Sequence, residues 1–228
     1  MLLKRIMLLA VVASFATLGC AQKQVTKNSG KKNPRIENYI DAAKYKDYGV
    51  ATFAGGCFWC TEAAFERIDG VVDVISGYSG GPGEHPTYQE IGTGRSGHAE
   101  AIQIYFDKSK IDYAKLLEVL FVAHDPTTLN YQGPDHGTQY RSHIFYRTDA
   151  EKALIEAAIT NVNASGRYSD KVVTKVTPYE EFWVAEDYHQ DYYELHPENP
   201  YVQRISKPKV EKVKKEFKDI LKQKYKKG

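Results

Sequence analysis

Past Tyr48 the apolar and polar positions fall into readable periods. Residues 49–55 are a short run of apolar and small side chains, the pattern of a buried strand. Residues 57–68 follow with Ala64, Phe65 and Ile68 on one helical face. A second strand is predicted over 71–78, and the glycine- and proline-rich stretch 80–97 reads as a loop. Residues 98–106 alternate as a third strand. Over 112–124, Tyr113, Leu116, Leu117, Leu120 and Phe121 recur at helical spacing, with Asp112 placed to cap the N-terminus. A loop over 125–140 leads into a strand at 142–147.

That order, βαββαβ, predicts an α+β fold with a ferredoxin-like split βαβ core. Extra elements extend it, a helix over 149–162 and a strand over 171–177. The aromatic stretch 178–206 reads as an irregular segment wrapping the domain. Val210, Val213, Phe217, Ile220 and Leu221 mark a charged amphipathic helix over 209–228. The domain proper is therefore expected over 49–208, after a polar tether and lead-in at 21–48.

Residues 1–20 have a targeting layout: Lys4 and Arg5, an apolar run over 6–16, then small residues. The run is short for a bilayer span, so a secretory signal is expected. Thr17-Leu18-Gly19-Cys20 resembles a bacterial lipobox, which implies lipidation of Cys20, export, and attachment to the cell envelope through an N-terminal lipid alone. It departs from that pattern at Thr17, where leucine is usual. Cleavage after Ala16 by an ordinary signal peptidase is the alternative.

Composition narrows the function classes. The chain has 228 residues, 42% hydrophobic and 26% charged, which suits one soluble domain with extensions. Its formal net charge is only +2, so nucleic acid is not an expected partner, and the lysine-rich ends read as solvated tails. Three cysteines, Cys20, Cys57 and Cys60, do not make a disulfide framework. With no paired histidine spacing and no second C-x-x-C, no metal site is expected.

The chemistry gathers at Gly55-Gly56-Cys57-Phe58-Trp59-Cys60. A thiol where a strand turns into a helix meets unpaired N–H groups and the positive end of the helix dipole, which favour the reactive thiolate. Cys57 is thus the candidate nucleophile and Cys60 the candidate resolving thiol; two structural cysteines are the bland alternative. His98, Glu100, Ile102, Ile104 and Phe106 share one strand face. A carboxyl at the end of that apolar face is expected to be desolvated and to keep a proton. A shifted register or a salt-bridged edge residue would explain Glu100 equally well. Tyr88, Asp135 and Tyr140 lie in loops that serve either as turns or as part of a site. Gly92 to Gly97 matches G-x-G-x-x-G but precedes a strand, so it is rejected as a nucleotide loop.

Six segments in order resemble the peptide methionine sulfoxide reductase A family: residues 55–60, Gly77-Tyr78-Ser79-Gly80-Gly81, Pro86-Thr87-Tyr88, Gly97-His98-Ala99-Glu100-Ala101, His124-Asp125-Pro126-Thr127, and 135–142. The resemblance implies reduction of methionine S-sulfoxide, free or in proteins, by attack of Cys57 on the sulfoxide sulfur. It implies that Glu100, helped by Tyr88 and Tyr140, protonates or hydrogen-bonds the oxygen. Phe58 and Trp59 would hold the substrate methyl group, with Asp135 in the polar network beside them. Cys57 would be left as sulfenic acid and then form a disulfide, reset by a thioredoxin-like or dithiol reductant, with no bound cofactor. Many family members use cysteines in a C-terminal tail; residues 207–228 have none, which leaves Cys60 as the resolving thiol. A monomer is expected. The rival readings are a general thiol–disulfide oxidoreductase of thioredoxin type, and an anchored binding module with an incidental thiol pair.

Overall fold

The first short helix, α1 (Ala42–Tyr45), already belongs to the folded body. The computed structural model describes residues 42–226, so the targeting segment, Cys20 and most of the tether lie outside the described residues. Tyr45 is buried, stacks on Tyr105 with ring centroids 3.7 Å apart, and donates a 2.6 Å hydrogen bond to Asp73. A lead-in was expected to run loosely to Tyr48. One anchoring aromatic without periodicity around it gave no sign of this packing.

Then follow β1 (Gly49–Gly55), α2 (Phe58–Glu66), β2 (Val71–Ser79), α3 (Tyr88–Gly92), β3 (Ala99–Phe106) and α4 (Tyr113–Ala123). Two short strands, β4 (Tyr131–Gln132) and β5 (Asp135–His136), precede β6 (Ser142–Tyr146), α5 (Asp149–Ala164), β7 (Lys175–Pro178) and β8 (Phe182–Val184). The chain continues through α6 (Tyr192–Leu195), α7 (Lys207–Glu216) and α8 (Gln223–Lys226).

The main sheet has the order β7-β6-β1-β3-β2-β8. Its inner strands are β6-β1-β3-β2, with β3 antiparallel to both β1 and β2. β1 and β2 therefore run parallel with β3 between them, and α2 crosses from one to the other. That is the split βαβ arrangement, and the α+β expectation holds. β7 adds in parallel to β6, and β8 closes the other edge against β2.

Both faces of the sheet are covered. Ala51, Phe53, Val74, Ile102, Ile104 and Ile144 pack under α2, α4, α5 and α7 in the main core. On the reverse face Tyr45, Ile75 and Tyr105 form a second cluster, and Ala54, Ala99, Ala101 and Phe145 a third that Tyr179 and Phe182 flank. The odd and even residues of β3 thus lie in different clusters, and the alternation read from the sequence is the real register.

Four expectations change. The 80–97 loop contains α3, which has a capping box: Thr87 accepts from the Glu90 amide while Glu90 accepts from the Thr87 amide, and Ile91 is buried. The strand expected over 171–177 begins only at Lys175. The 125–140 loop holds the β4–β5 ribbon and a 3₁₀ turn at Thr138–Tyr140. The last helix starts earlier than 209, through a π turn at Val202–Ser206, and α7 stops at Glu216. Leu221 then leaves helical geometry to bridge Ile68, while Phe217 and Ile220 pack against the main core.

The link that sets the site is the turn from β1 to α2. Gly56 has φ +83, and a Cβ there would lie 2.3 Å from Gln132 Cγ. Gln132 cannot retreat easily, because it accepts from the Asp125 amide at 3.0 Å and donates to the Asp125 carbonyl at 2.7 Å. Left-handed backbone and close approach both require glycine. Gly56→Ala is expected to destabilise the protein by about 1–3 kcal/mol, read as a lower urea or thermal midpoint. An unchanged midpoint would contradict this account of the turn.

Candidate active site

Cys57 caps the N-terminus of α2, and its carbonyl accepts from the amides of Cys60 and Thr61. The first amide of the helix, Phe58 N–H, points elsewhere: it donates to Glu100 Oε2 at 3.0 Å. Glu100 stands on the helix-facing side of β3 and is 2% exposed. Burial pushes its carboxyl up to about 8; the Phe58 amide opposes this, while the nearby charges of Asp135 and Cys60 add to it. The desolvated carboxyl expected from strand alternation is present, and its burial favours the protonated form.

The same bond corrects the expectation for Cys57. No amide caps its sulfur. Burial pushes the Cys57 thiol well up, reinforced by the Cys60 sulfur and Glu100, against a hydrogen bond with Tyr201. Desolvation outweighs the helix terminus because the terminal amide is given to Glu100. The easier ionisation belongs to Cys60, drawn down to about 7 chiefly by its hydrogen bond with Cys57; burial opposes this, and Lys209 and Ser206 assist. Both thiols are free and buried.

Tyr88 enters at the start of α3, where its amide donates to Glu186 at 2.8 Å. Tyr140 ends the 3₁₀ turn entered through Gly137, at φ +134. Burial raises both phenols, Tyr88 to about 12, and both feel the charges of Glu100 and Cys57. Both phenols therefore lie within electrostatic reach of the same acid and sulfur. Asp135 accepts a hydrogen bond from Tyr201, whose hydroxyl also reaches Cys57.

Trp59 is half-buried and held on three sides. Its ring stacks on Tyr192 at 3.6 Å and 7°, meets Tyr201 edge-on, and its Nε1 donates to His189 Nδ1 at 3.1 Å. Phe58, expected to share the wall, is 1% exposed and lies behind it against Tyr78 and His189. The structure therefore brings together Cys57, Cys60, Glu100, Tyr88, Tyr140, Asp135 and Trp59, with Phe58 as their support.

Sequence reasoning missed Tyr201, Tyr192, His189 and Glu186. All four sit in the segment read only as a wrap; its density of aromatic residues was the one available signal. Conversely, His98 and His124 are structural. His98 accepts from the Gly81 amide and donates to the Gly83 carbonyl; His124 donates to the Leu120 carbonyl and accepts from Ser142. Burial drives His124 down to about 4, so it stays neutral. Among the described residues no group of three or more His, Cys, Asp or Glu could hold a metal ion.

Two free thiols hydrogen-bonded to each other can surrender two electrons and close a disulfide. A neutral acid alongside can supply the proton such a reduction consumes. Fold and site define a thiol-dependent reductase. The family model for peptide methionine sulfoxide reductase matches residues 49–221. The chain is 50% identical over 172 residues to the peptide methionine sulfoxide reductase MsrA of Haloquadratum walsbyi, covering 75% of this chain and 98% of that one. In structure it is similar to reduced Mxr1 from Saccharomyces cerevisiae, with a TM-score of 0.62 at 32% identity, covering 68% of this chain and 88% of the other. Methionine sulfoxide reductase A of Corynebacterium diphtheriae gives 0.60 at 31% identity, covering 66% and 76%. The chain belongs to the peptide methionine sulfoxide reductase A family.

A carboxyl raised from 4.5 to about 8 makes the folded state hold a proton that the unfolded state releases between those values. Stability from this group is therefore intact below pH 4.5 and is withdrawn progressively up to about 8. Glu100→Gln should raise the thermal midpoint relative to the parent, with the gap opening across that window. A gap that is constant with pH would contradict the buried acid.

Proposed function

We propose that the protein reduces methionine S-sulfoxide, free or within proteins, by thiol chemistry at Cys57. The observation that carries the assignment of roles is the Phe58 amide on Glu100, which fixes a neutral acid against the first turn that carries Cys57. A sulfoxide oxygen leaves poorly until it is protonated, so the acid is where the reaction needs it.

The substrate methyl group lies against Trp59, and its oxygen takes hydrogen bonds from Glu100, Tyr88 and Tyr140. Cys57 sulfur attacks the sulfoxide sulfur while Glu100 shares its proton with the oxygen. The sum is one thiol and one sulfoxide converted to Cys57 sulfenic acid and methionine. Cys60 sulfur then displaces the hydroxyl from Cys57, which leaves with a proton as water, and a disulfide forms. Among the described residues the cysteines are Cys57 and Cys60, both buried in this site, which supports Cys60 as the resolving thiol. A thioredoxin-like or small dithiol reductant resets the pair by exchange. Asp135 acts through Tyr201, whose hydroxyl it orients beside Cys57.

A lipid on Cys20 and an exported, envelope-anchored enzyme follow from the N-terminal pattern alone. Labelled palmitate should enter the parent and not Cys20→Ala; equal labelling of both would remove the anchor.

The main test is a single turnover on the separated epimers of dabsyl-methionine sulfoxide, read by mass spectrometry. The reduced protein should consume the S epimer and leave the R. Cys57→Ser should form no methionine. Cys60→Ser should form one equivalent and stall with thioredoxin. Insulin reduction without sulfoxide reduction would favour the thioredoxin-type reading instead, and wild-type recycling by Cys60→Ser would remove its resolving role.

A further inference from the structure

We propose that Lys209 is a positioning residue for the resolving thiol, its buried ammonium and the Ser206 hydroxyl together presenting Cys60 to Cys57 as an anion. The proposal rests on the reading of Cys60 as the thiol that closes the disulfide.

The geometry begins with the π turn at Val202–Ser206, the widened form of helix that often marks functional positions. It leads directly into α7 and leaves Ser206 fully buried, with its Oγ 3.2 Å from Cys60 Sγ. The thiol donates to that hydroxyl; after ionisation the hydroxyl can rotate and donate to the sulfur. Ser206, Lys209 and Val213 are spaced three and four residues apart, so they share one helix face. Ser206, Val210 and Val213 are all 0% exposed, which makes this the inward face, set against α2 and α4 in the main core. Lys209 is half-buried on this face, with its Nζ turned away from solvent. The others, Lys207, Lys212, Lys214 and Lys215, are exposed or half-exposed.

Lys209 Nζ is buried and has no hydrogen-bond partner among the described residues. A cationic nitrogen withdrawn from water is favoured where an anion compensates it. Two candidate carboxylates in this region are engaged. Asp125 accepts from the amide and hydroxyl of Thr127, and Asp135 accepts from Tyr201. Cys60 touches Ser206 on the helix face that carries Lys209, and the field of Lys209 favours its thiolate.

The groups that face Cys60 come from several elements: Cys57 on its own helix, Glu100 from β3, Asp135 from β5, Tyr193 from α6, Tyr201 and Ser206 from the wrap, and Lys209 from α7. Lys209 is the cation of this set. When Cys57 becomes sulfenic acid, a Cys60 thiolate forms the S–S bond as the S–O bond breaks. The two sulfurs share the oxidation, and hydroxide leaves as water with a proton from solvent. Without Lys209, less of Cys60 is ionised at neutral pH and closure slows.

The test is a titration of Cys60 by thiolate absorbance in the Cys57→Ser protein, followed by disulfide closure in the dithiol enzyme after one equivalent of sulfoxide. Lys209→Met should raise the Cys60 midpoint by about one pH unit and cut its thiolate near pH 7 about fivefold, with closure slowed to match. Lys209→Arg should keep both near the parent, and Lys209→Gln is a second neutral replacement should the methionine variant fail to fold. A midpoint unmoved in the neutral variants, or moved equally by arginine, overturns the proposal. If Cys60→Ser stalls while the titration is unmoved, Lys209 alone is wrong. If Cys60→Ser recycles normally, the resolving reading fails and takes this proposal with it.

Discussion

One hydrogen bond organises this molecule, from the first amide of α2 to the Glu100 carboxyl on β3. A helix N-terminus has unpaired N–H groups to give, and in this turn the sulfur of Cys57 is not the receiver. The bond exists because β1 and β3 are neighbours in register and Gly56 turns the chain sharply between β1 and α2. It fixes the distance between an acid and a thiol that lie 43 positions apart in the chain, from Cys57 to Glu100. The remaining site residues are arranged around that pair.

The electrostatics follow from competition between desolvation and local donors. Full burial can move an acid or a thiol by several pH units, whereas a helix terminus on its own contributes about 0.3–1 kcal/mol at exposed sites. For both Glu100 and Cys57 the larger effect wins, and both hold their protons at rest. A resting thiol is less prone to stray oxidation than a thiolate, and a resting acid is ready for a basic oxygen. Cys60 is buried as deeply, yet ionises more easily because Cys57, Ser206 and Lys209 all act on it. Two cysteines three residues apart thus have opposite tendencies.

Much of this was legible in the sequence. The strict period of β3 placed Glu100 on the same side as Ile102 and Ile104, and the period of α4 placed its apolar stripe and its Asp112 cap correctly. These features rest on local periodicity, which a chain displays openly. What was missed depends on contacts distant in sequence or on single side chains. Tyr45 packs through one ring, and α3 is a single capped turn. Tyr201 and His189 reach Cys57 and Trp59 from a segment with no period at all. The π turn that presents Ser206 has no residue pattern by which to find it, and Lys209 looks like one more lysine in a basic tail. The expectation of a Cys57 thiolate went wrong because the sequence shows where a helix begins but not which atom receives its first amide.

The claim on which the account depends most is that Glu100 is a protonated acid in the folded, reduced enzyme at neutral pH. Infrared spectroscopy of protein with isotope-labelled glutamate reads this directly, with Glu100→Gln used to assign the band. The account predicts a protonated carboxyl band at pH 7 that is absent from the variant and titrates away with a midpoint near 8. A Glu100 carboxylate already ionised at pH 6 would contradict it.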